Sequence, residues 1–178
     1  MKHCVVYDSS FLIATIDTGD EFHRDAIYIF QKILEERAKI KIIIPTLVFY
    51  ETIVTLIKKE AASREQIEKK LWNLLYSNIV LNVALIETAA FKTCKRLAGW
   101  DLSKLKTADF IISSVGLEYD AQILTFDKEI RKNLGTYYPS VYYCSPIGNM
   151  QDESERFLQD LYKAIGKEDV IDLDEIPF

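Results

Sequence analysis

Short runs of β-branched and aromatic residues recur along the chain, and each is followed by a longer stretch whose apolar side chains return every three or four positions. The short runs predict strands at His3–Tyr7, Lys41–Ile44, Ile79–Asn82, Gln122–Thr125 and Val141–Tyr143. The longer stretches predict helices. From Glu21 to Arg37 the residues Phe22, Ala26, Ile29, Phe30, Ile33 and Leu34 share one face behind the acidic start at Asp20. A second helix opens at Thr46 after Pro45 and runs to about Lys59. Ser63 and Gln66 have the spacing of a capping box ahead of Ile67, Leu71, Trp72, Leu74 and Leu75. Two more helices are expected at 85–98 and 103–118 with Gly99 between them, and a short one near 127–133.

Strands alternating with helices are the signature of a parallel sheet covered on both faces, so the expected fold is three-layer α/β/α with five parallel strands. Pro146, Gly148 and Asn149 interrupt the pattern. The expected organisation is therefore a body at 1–147 and an acidic helix and tail at 148–178 within the same unit. In that last part Phe157, Leu158, Leu161, Ala164 and Ile165 lie on one side of a helix, and Asp152 and its acidic neighbours read as a solvated charge run, with a partner-binding surface as the alternative.

Composition sharpens this picture in three respects. At 178 residues and 49% hydrophobic, the chain can bury a sizeable core, yet no apolar run approaches the roughly 18 residues of a membrane span. With too few apolar residues before Asp8 for a secretory segment, the expectation is a cytoplasmic protein with no membrane partner. Cys4, Cys94 and Cys144 are widely spaced and His3 and His23 are solitary, which excludes a disulfide framework and a zinc cluster. The net charge of −5 is uneven: residues 151–178 hold nine acids and three bases, leaving 1–150 near neutral. A nucleic-acid partner thus stays open if the bases cluster. Lys92, Lys95, Arg96, Lys104 and Lys106 are the nearest approach to such a cluster.

The informative acids are those that interrupt apolar faces. Asp8 ends the first strand and Asp127 follows the fourth, so both belong to the carboxyl edge of the sheet, where ligands of open α/β folds bind. Glu51 lies early in the helix after the second strand, among Leu47, Val48, Val54 and Thr55, and Asp109 shares a helix face with Leu105, Ile112 and Ser113. Alone, each acid has an ordinary reading as a helix cap or surface charge. Together, four carboxylates at one edge would repel unless a hard divalent cation, Mg²⁺ or Mn²⁺, drew them together. Such an ion can activate water against a phosphodiester. Ser9, Ser10 and Thr125 are placed to hold the carboxylates by hydrogen bonds. A phosphatase of the haloacid dehalogenase type would need an acid where Ser10 stands, and a phospho-receiver domain would need an acidic pair where Tyr7 precedes Asp8. Tyr28, Phe30, Phe49 and Tyr50 read as core or dimer packing, while stacking on an unpaired base is open to Tyr137, Tyr138, Tyr142 and Tyr143 near the last strand.

The DSS at 8–10, Glu51 after a helix begun at Pro45, and LKTADFIISSVGLEYDAQILTFDKEI at 105–130 together resemble the PIN-domain ribonucleases, in particular the toxin components of VapBC toxin–antitoxin systems. The resemblance spans about 1–145. It implies a metal site at Asp8, Glu51, Asp109 and Asp127, cleavage of RNA to leave a 5′-phosphate, and a homodimer formed through the early helices. It also implies an antitoxin or other regulatory protein as partner. A non-catalytic RNA- or protein-binding module of the same fold, and an RNA-processing nuclease outside toxin–antitoxin systems, stand as the alternatives.

Overall fold

A computed structural model describes residues 2–59, 64–75, 80–83, 105–135, 137–138, 140–144 and 153–167. Its five strands are β1 (His3–Tyr7), β2 (Ile40–Pro45), β3 (Val80–Val83), β4 (Gln122–Thr125) and β5 (Val141–Tyr143), all parallel and ordered β3-β2-β1-β4-β5. The described helices are α1 (Ser9–Ile16), α2 (His23–Glu35), α3 (Thr46–Lys58), α4 (Arg64–Leu75), α5 (Thr107–Tyr119), α6 (Lys128–Leu134) and α7 (Glu153–Ala164). The expected helix at 85–98, and the tail beyond residue 167, lie outside the described residues.

The central strands are apolar at nearly every position because both sheet faces are covered. Val5, Val6, Tyr7, Ile42, Ile43, Ile44, Ile123 and Leu124 are all fully buried. From β1 the chain winds outward in one direction through β2 and β3, then returns to β1 and winds the other way through β4 and β5. The switch point therefore falls between the carboxyl ends of β1 and β4, the crevice where such sheets take ligands. Asp8 continues the pairing there, donating its backbone N–H to the Leu124 carbonyl at 3.0 Å. Helix α5 presses close to β4 at Gly116, where a Cβ would come within 2.7 Å of Ile123 Cδ1.

Several side chains depart from the sequence expectation. Ile67 and Leu71 are buried, as an amphipathic α4 requires, but Trp72 is 47% exposed and donates its indole N–H to Glu68 on its own helix. Tyr50, Val54 and Ile57, spaced along α3, are exposed. Neither solitary histidine is simply solvated: His3 Nε2 lies 2.9 Å from Gln122 Oε1 and His23 Nδ1 lies 2.7 Å from the Ala14 carbonyl.

Helix α7 is built into the body. Phe157, Leu158 and Leu161 are buried, and the Phe157 ring meets Tyr142 of β5 edge-on at 5.5 Å. At the carboxyl edge Glu153 accepts from Arg131 Nε at 2.8 Å and from the Tyr143 backbone N–H at 2.6 Å. Near the middle of the helix Asp160 accepts from the Tyr142 hydroxyl at 2.7 Å. Beyond the end of α7, Lys167 pairs with Glu36 at 2.5 Å and the Ile165 carbonyl accepts from Lys39. Phe157→Ala is expected to cost about 3–4 kcal/mol by leaving a cavity under β5, whereas Tyr50→Ala should stay within about 0.5 kcal/mol in the monomer. Denaturant melts test this: equal, small losses for both variants would mean that α7 is not docked.

Candidate functional site

The site grows from the end of β1. Asp8 is the N-cap of α1, extended at φ −77° and ψ 162°, and its side chain accepts from the Ser10 backbone N–H. It is 2% exposed. Three donors converge on one oxygen, Oδ2: Ser10 N at 3.3 Å, Ser10 Oγ at 2.5 Å and Thr125 Oγ1 at 2.9 Å. Ser9 lies on the other side, its hydroxyl 3.4 Å from Oδ1, and its backbone N–H also donates to the Asp8 carboxylate. One side of the carboxylate is thus held more tightly than the other.

The two hydroxyls also fix the end of β4. Ser10 Oγ accepts from the Phe126 N–H and Thr125 Oγ1 accepts from the Asp127 N–H, both at 2.9 Å. Asp127 in turn caps α6, its Oδ1 accepting from Glu129 N at 2.8 Å. Beneath them the Phe11, Phe126 and Phe22 rings stack, with centroids 5.3 and 4.5 Å apart and planes tilted by 7° and 11°. That aromatic floor holds Phe126, and so the turn between Thr125 and Asp127, in place.

Asp109 enters from α5. It is the third residue of that helix and closes a capping box by accepting from Lys106 N at 3.1 Å. It is 4% exposed. Glu51 reaches in from the second turn of α3, half-buried, and shares Ser9 as a hydrogen-bonding partner with Asp8. Burial pushes the carboxyl groups of Asp8, Glu51 and Asp109 above their ordinary range. Like charge adds to the effect: Glu51 is opposed by Asp8 and Asp109, and Asp109 by Asp127 and Asp8. For Asp8 the hydrogen bonds from Ser10 and Thr125 pull the other way without overcoming burial. The structure thus brings all four acids into one electrostatic group, with Ser9, Ser10 and Thr125 beside Asp8. Of the five basic candidates, Lys106 lies next to Asp109 and draws its carboxyl downward; Lys92, Lys95, Arg96 and Lys104 lie outside the described residues.

No described lysine or arginine forms an ion pair with any of the four acids. Nor do three His, Cys, Asp or Glu side chains among the described residues close into a ready ion cage. An all-oxygen donor set, mutual repulsion and the less tightly held Oδ1 of Asp8 nonetheless fit a hard divalent ion that takes one or two carboxylates directly and keeps its waters. Other acids serve the scaffold: Asp17 and Asp20 accept from the N–H groups of Gly19 and Phe22 and both pair with Lys59. Asp120 ends α5 in the left-handed conformation at φ 48°.

This parallel sheet, with an acidic crevice at its switch point, defines a PIN-type α/β domain, and the PIN domain family profile matches residues 5–133. The chain belongs to the PIN-domain family. Among solved structures, VapC20 of Mycobacterium tuberculosis, described as a Sarcin-Ricin loop cleaving toxin, shares the fold at TM-score 0.55 and 17% identity, over 72% of this chain and 93% of that one. No curated protein matches the chain in sequence. No described helix is long and apolar enough to cross a membrane.

The raised carboxyl groups carry a stability consequence. A carboxylate whose folded pKa lies above its unfolded value destabilises the fold once it is ionised, and the cost vanishes below the unfolded value. In chelator at pH 7, Asp8→Asn should therefore be more stable than wild type by about 1 kcal/mol, with the gain fading as pH falls toward 4. Thermal melts across pH check this; a less stable variant at pH 7 would show that the anchoring hydrogen bonds outweigh desolvation.

Proposed function

We propose that this protein is a divalent-metal-dependent endoribonuclease of the VapC toxin type, with Asp8, Glu51, Asp109 and Asp127 as its acidic site. The observation that carries the reading is the grouping of four mutually repelling carboxylates, two of them almost fully buried and none in an ion pair with a described lysine or arginine, at the switch point of the sheet. Burying like charges is costly, and a fold that groups four of them with Lys106 as the described cation acting on Asp109 is suited to a further cation.

Asp8, Glu51, Asp109 and Asp127 would together hold Mg²⁺ or Mn²⁺. When bound, the ion supplies an activated water and neutralises charge on the scissile phosphate. The chain's own residues prepare that chemistry. Ser10 and Thr125 hold Asp8 by its Oδ2. Ser9 ties Asp8 to Glu51, which is placed to accept a proton because burial and its acidic neighbours raise its carboxyl. RNA is the substrate by likeness to a toxin that cleaves the Sarcin-Ricin loop. The exposed stripe of Tyr50, Val54 and Ile57 on α3 would form the homodimer, and an antitoxin is the regulatory partner of this reading.

Incubation of a structured RNA with Mn²⁺ tests the proposal. Wild type should cut it, chelator should stop the reaction, and Asp8→Asn or Asp109→Asn should lose well over 100-fold in rate. Thr125→Val, which removes a supporting hydrogen bond, should lose roughly 10–100-fold. Cleavage that survives both aspartate substitutions would overturn the site, and folded wild type that neither binds Mn²⁺ nor cuts would leave the non-catalytic module.

A further inference from the structure

Next to the acidic crevice, on its β5 side, lies a second feature of opposite charge. A cavity of about 520 Å³ opens between α6 and the end of β5, lined by Lys128, Arg131, Lys132, Gly135, Tyr143 and Glu153. Its position is fixed by the sheet: Thr125 pairs with Tyr143 in the β4–β5 register, and Thr125 is the residue that bonds Asp8. Neighbouring strands are about 4.8 Å apart, so the cavity begins one strand away from the carboxylates. Lys128 follows Asp127 directly, and Lys132 lies one turn further on the same face of α6.

The charges in this cavity are divided between structure and availability. Arg131 is committed to Glu153 through Nε at 2.8 Å to both carboxylate oxygens and through an Nη at 2.7 Å. Glu153 is likewise committed, to Arg131 and the Tyr143 N–H, and these partners hold its carboxyl below the ordinary range against the pull of burial. With that pair neutralised, Lys128 and Lys132 remain, and neither forms an ion pair with a described carboxylate. Lys128 sits over the Tyr143 ring at 5.7 Å, which holds its ammonium at the cavity wall. Of the other tyrosines here, Tyr138 bonds the Ala121 carbonyl and Tyr142 bonds Asp160, while Tyr137 is 37% exposed.

We propose that the cavity between α6 and β5 is a backbone-binding subsite for single-stranded RNA, in which Lys128 and Lys132 hold the phosphates flanking the one presented to the acids. The inference rests on the ribonuclease reading for its substrate class. Its chemistry is simple: a polyanion cannot approach four carboxylates unless cations beside them offset the repulsion. Two ammonium groups one helical turn apart supply that offset without entering the acidic centre. Tyr143 sets the position of Lys128 and is a positioning residue.

Fluorescence anisotropy of a labelled single-stranded RNA of mixed sequence, measured in chelator so that cleavage is silent, tests the subsite. Lys128→Gln/Lys132→Gln should weaken binding about tenfold near physiological salt and lower the slope of log K against log salt by about 1.4, as two lost phosphate contacts require. Lys128→Arg/Lys132→Arg should restore both. A control with the same charge change far from the cavity, Lys69→Gln/Lys163→Gln, should bind as wild type does. Equal losses in the control and the cavity variant would overturn the proposal, as would a wild type that does not bind RNA. A wild type that binds through these lysines and cuts nothing with Mn²⁺ would instead leave the subsite standing and remove the nuclease reading.

Discussion

The structure turns on one buried carboxylate. Asp8 lies at the switch point of the sheet, where β1 and β4 are neighbours but the connections run in opposite directions, and its Oδ2 gathers donors from α1 and β4 together. A carboxylate in that position would be expelled from an apolar interior. It stays because Ser10 and Thr125 each serve two partners, one acid and one backbone N–H of the turn that leads to Asp127. The same hydroxyls that make Asp8 tolerable therefore also place the second edge acid. The sheet, the turn and the crevice are a single hydrogen-bonded construction.

The choice between cap and functional acid turns out to be a false one for three of the four carboxylates. Asp8 caps α1, Asp127 caps α6 and Asp109 closes the capping box of α5. In a parallel sheet the helices that follow strands begin at the carboxyl edge, so their unpaired N–H groups and the positive ends of their dipoles gather there. Capping acids consequently collect where ligands bind. A cap needs one carboxylate oxygen, and a metal or its waters can use the other. What distinguishes these acids from Asp17 and Asp20, which also cap turns, is that Asp17 and Asp20 have Lys59 to neutralise them.

This explains why the site was so readable in the sequence. All five strands fall within a residue or two of the positions that periodicity gives, because each is a short run rich in β-branched or aromatic residues, and the central β1, β2 and β4 are largely buried on both faces. Asp8 and Asp127 announce themselves by ending such runs. Glu51 and Asp109 are visible as charges inside apolar helix faces, although nothing in their spacing alone says that α3 and α5 converge. Less was legible where exposure depends on a distant neighbour. Trp72 carries apolar surface that periodicity assigns to the core, yet the packing of α4 leaves it facing out. The last helix misled in the opposite sense. Its acids read as solvated charge, whereas Glu153 and Asp160 are bonded to Arg131 and Tyr142, partners 22 and 18 residues away in sequence that no local pattern reveals.

That last misreading bears on how an acidic protein can meet a polyanion. A net charge of −5 suggests repulsion, but charge acts over about 8 Å at physiological salt, so neighbourhoods matter more than totals. Helix α7 spends its first acid on Arg131, which would otherwise be a third free cation in the α6–β5 cavity, and the same contact fixes the end of β5 through Tyr143. The acidic segment is then a brace for the edge of the sheet. It orders the cavity wall on which Lys128 rests, so that a concentrated negative centre and a small positive flank sit one strand apart on the same edge. A ligand that needs both, a metal-binding group and a neighbouring anion, is what an RNA backbone repeats along its length.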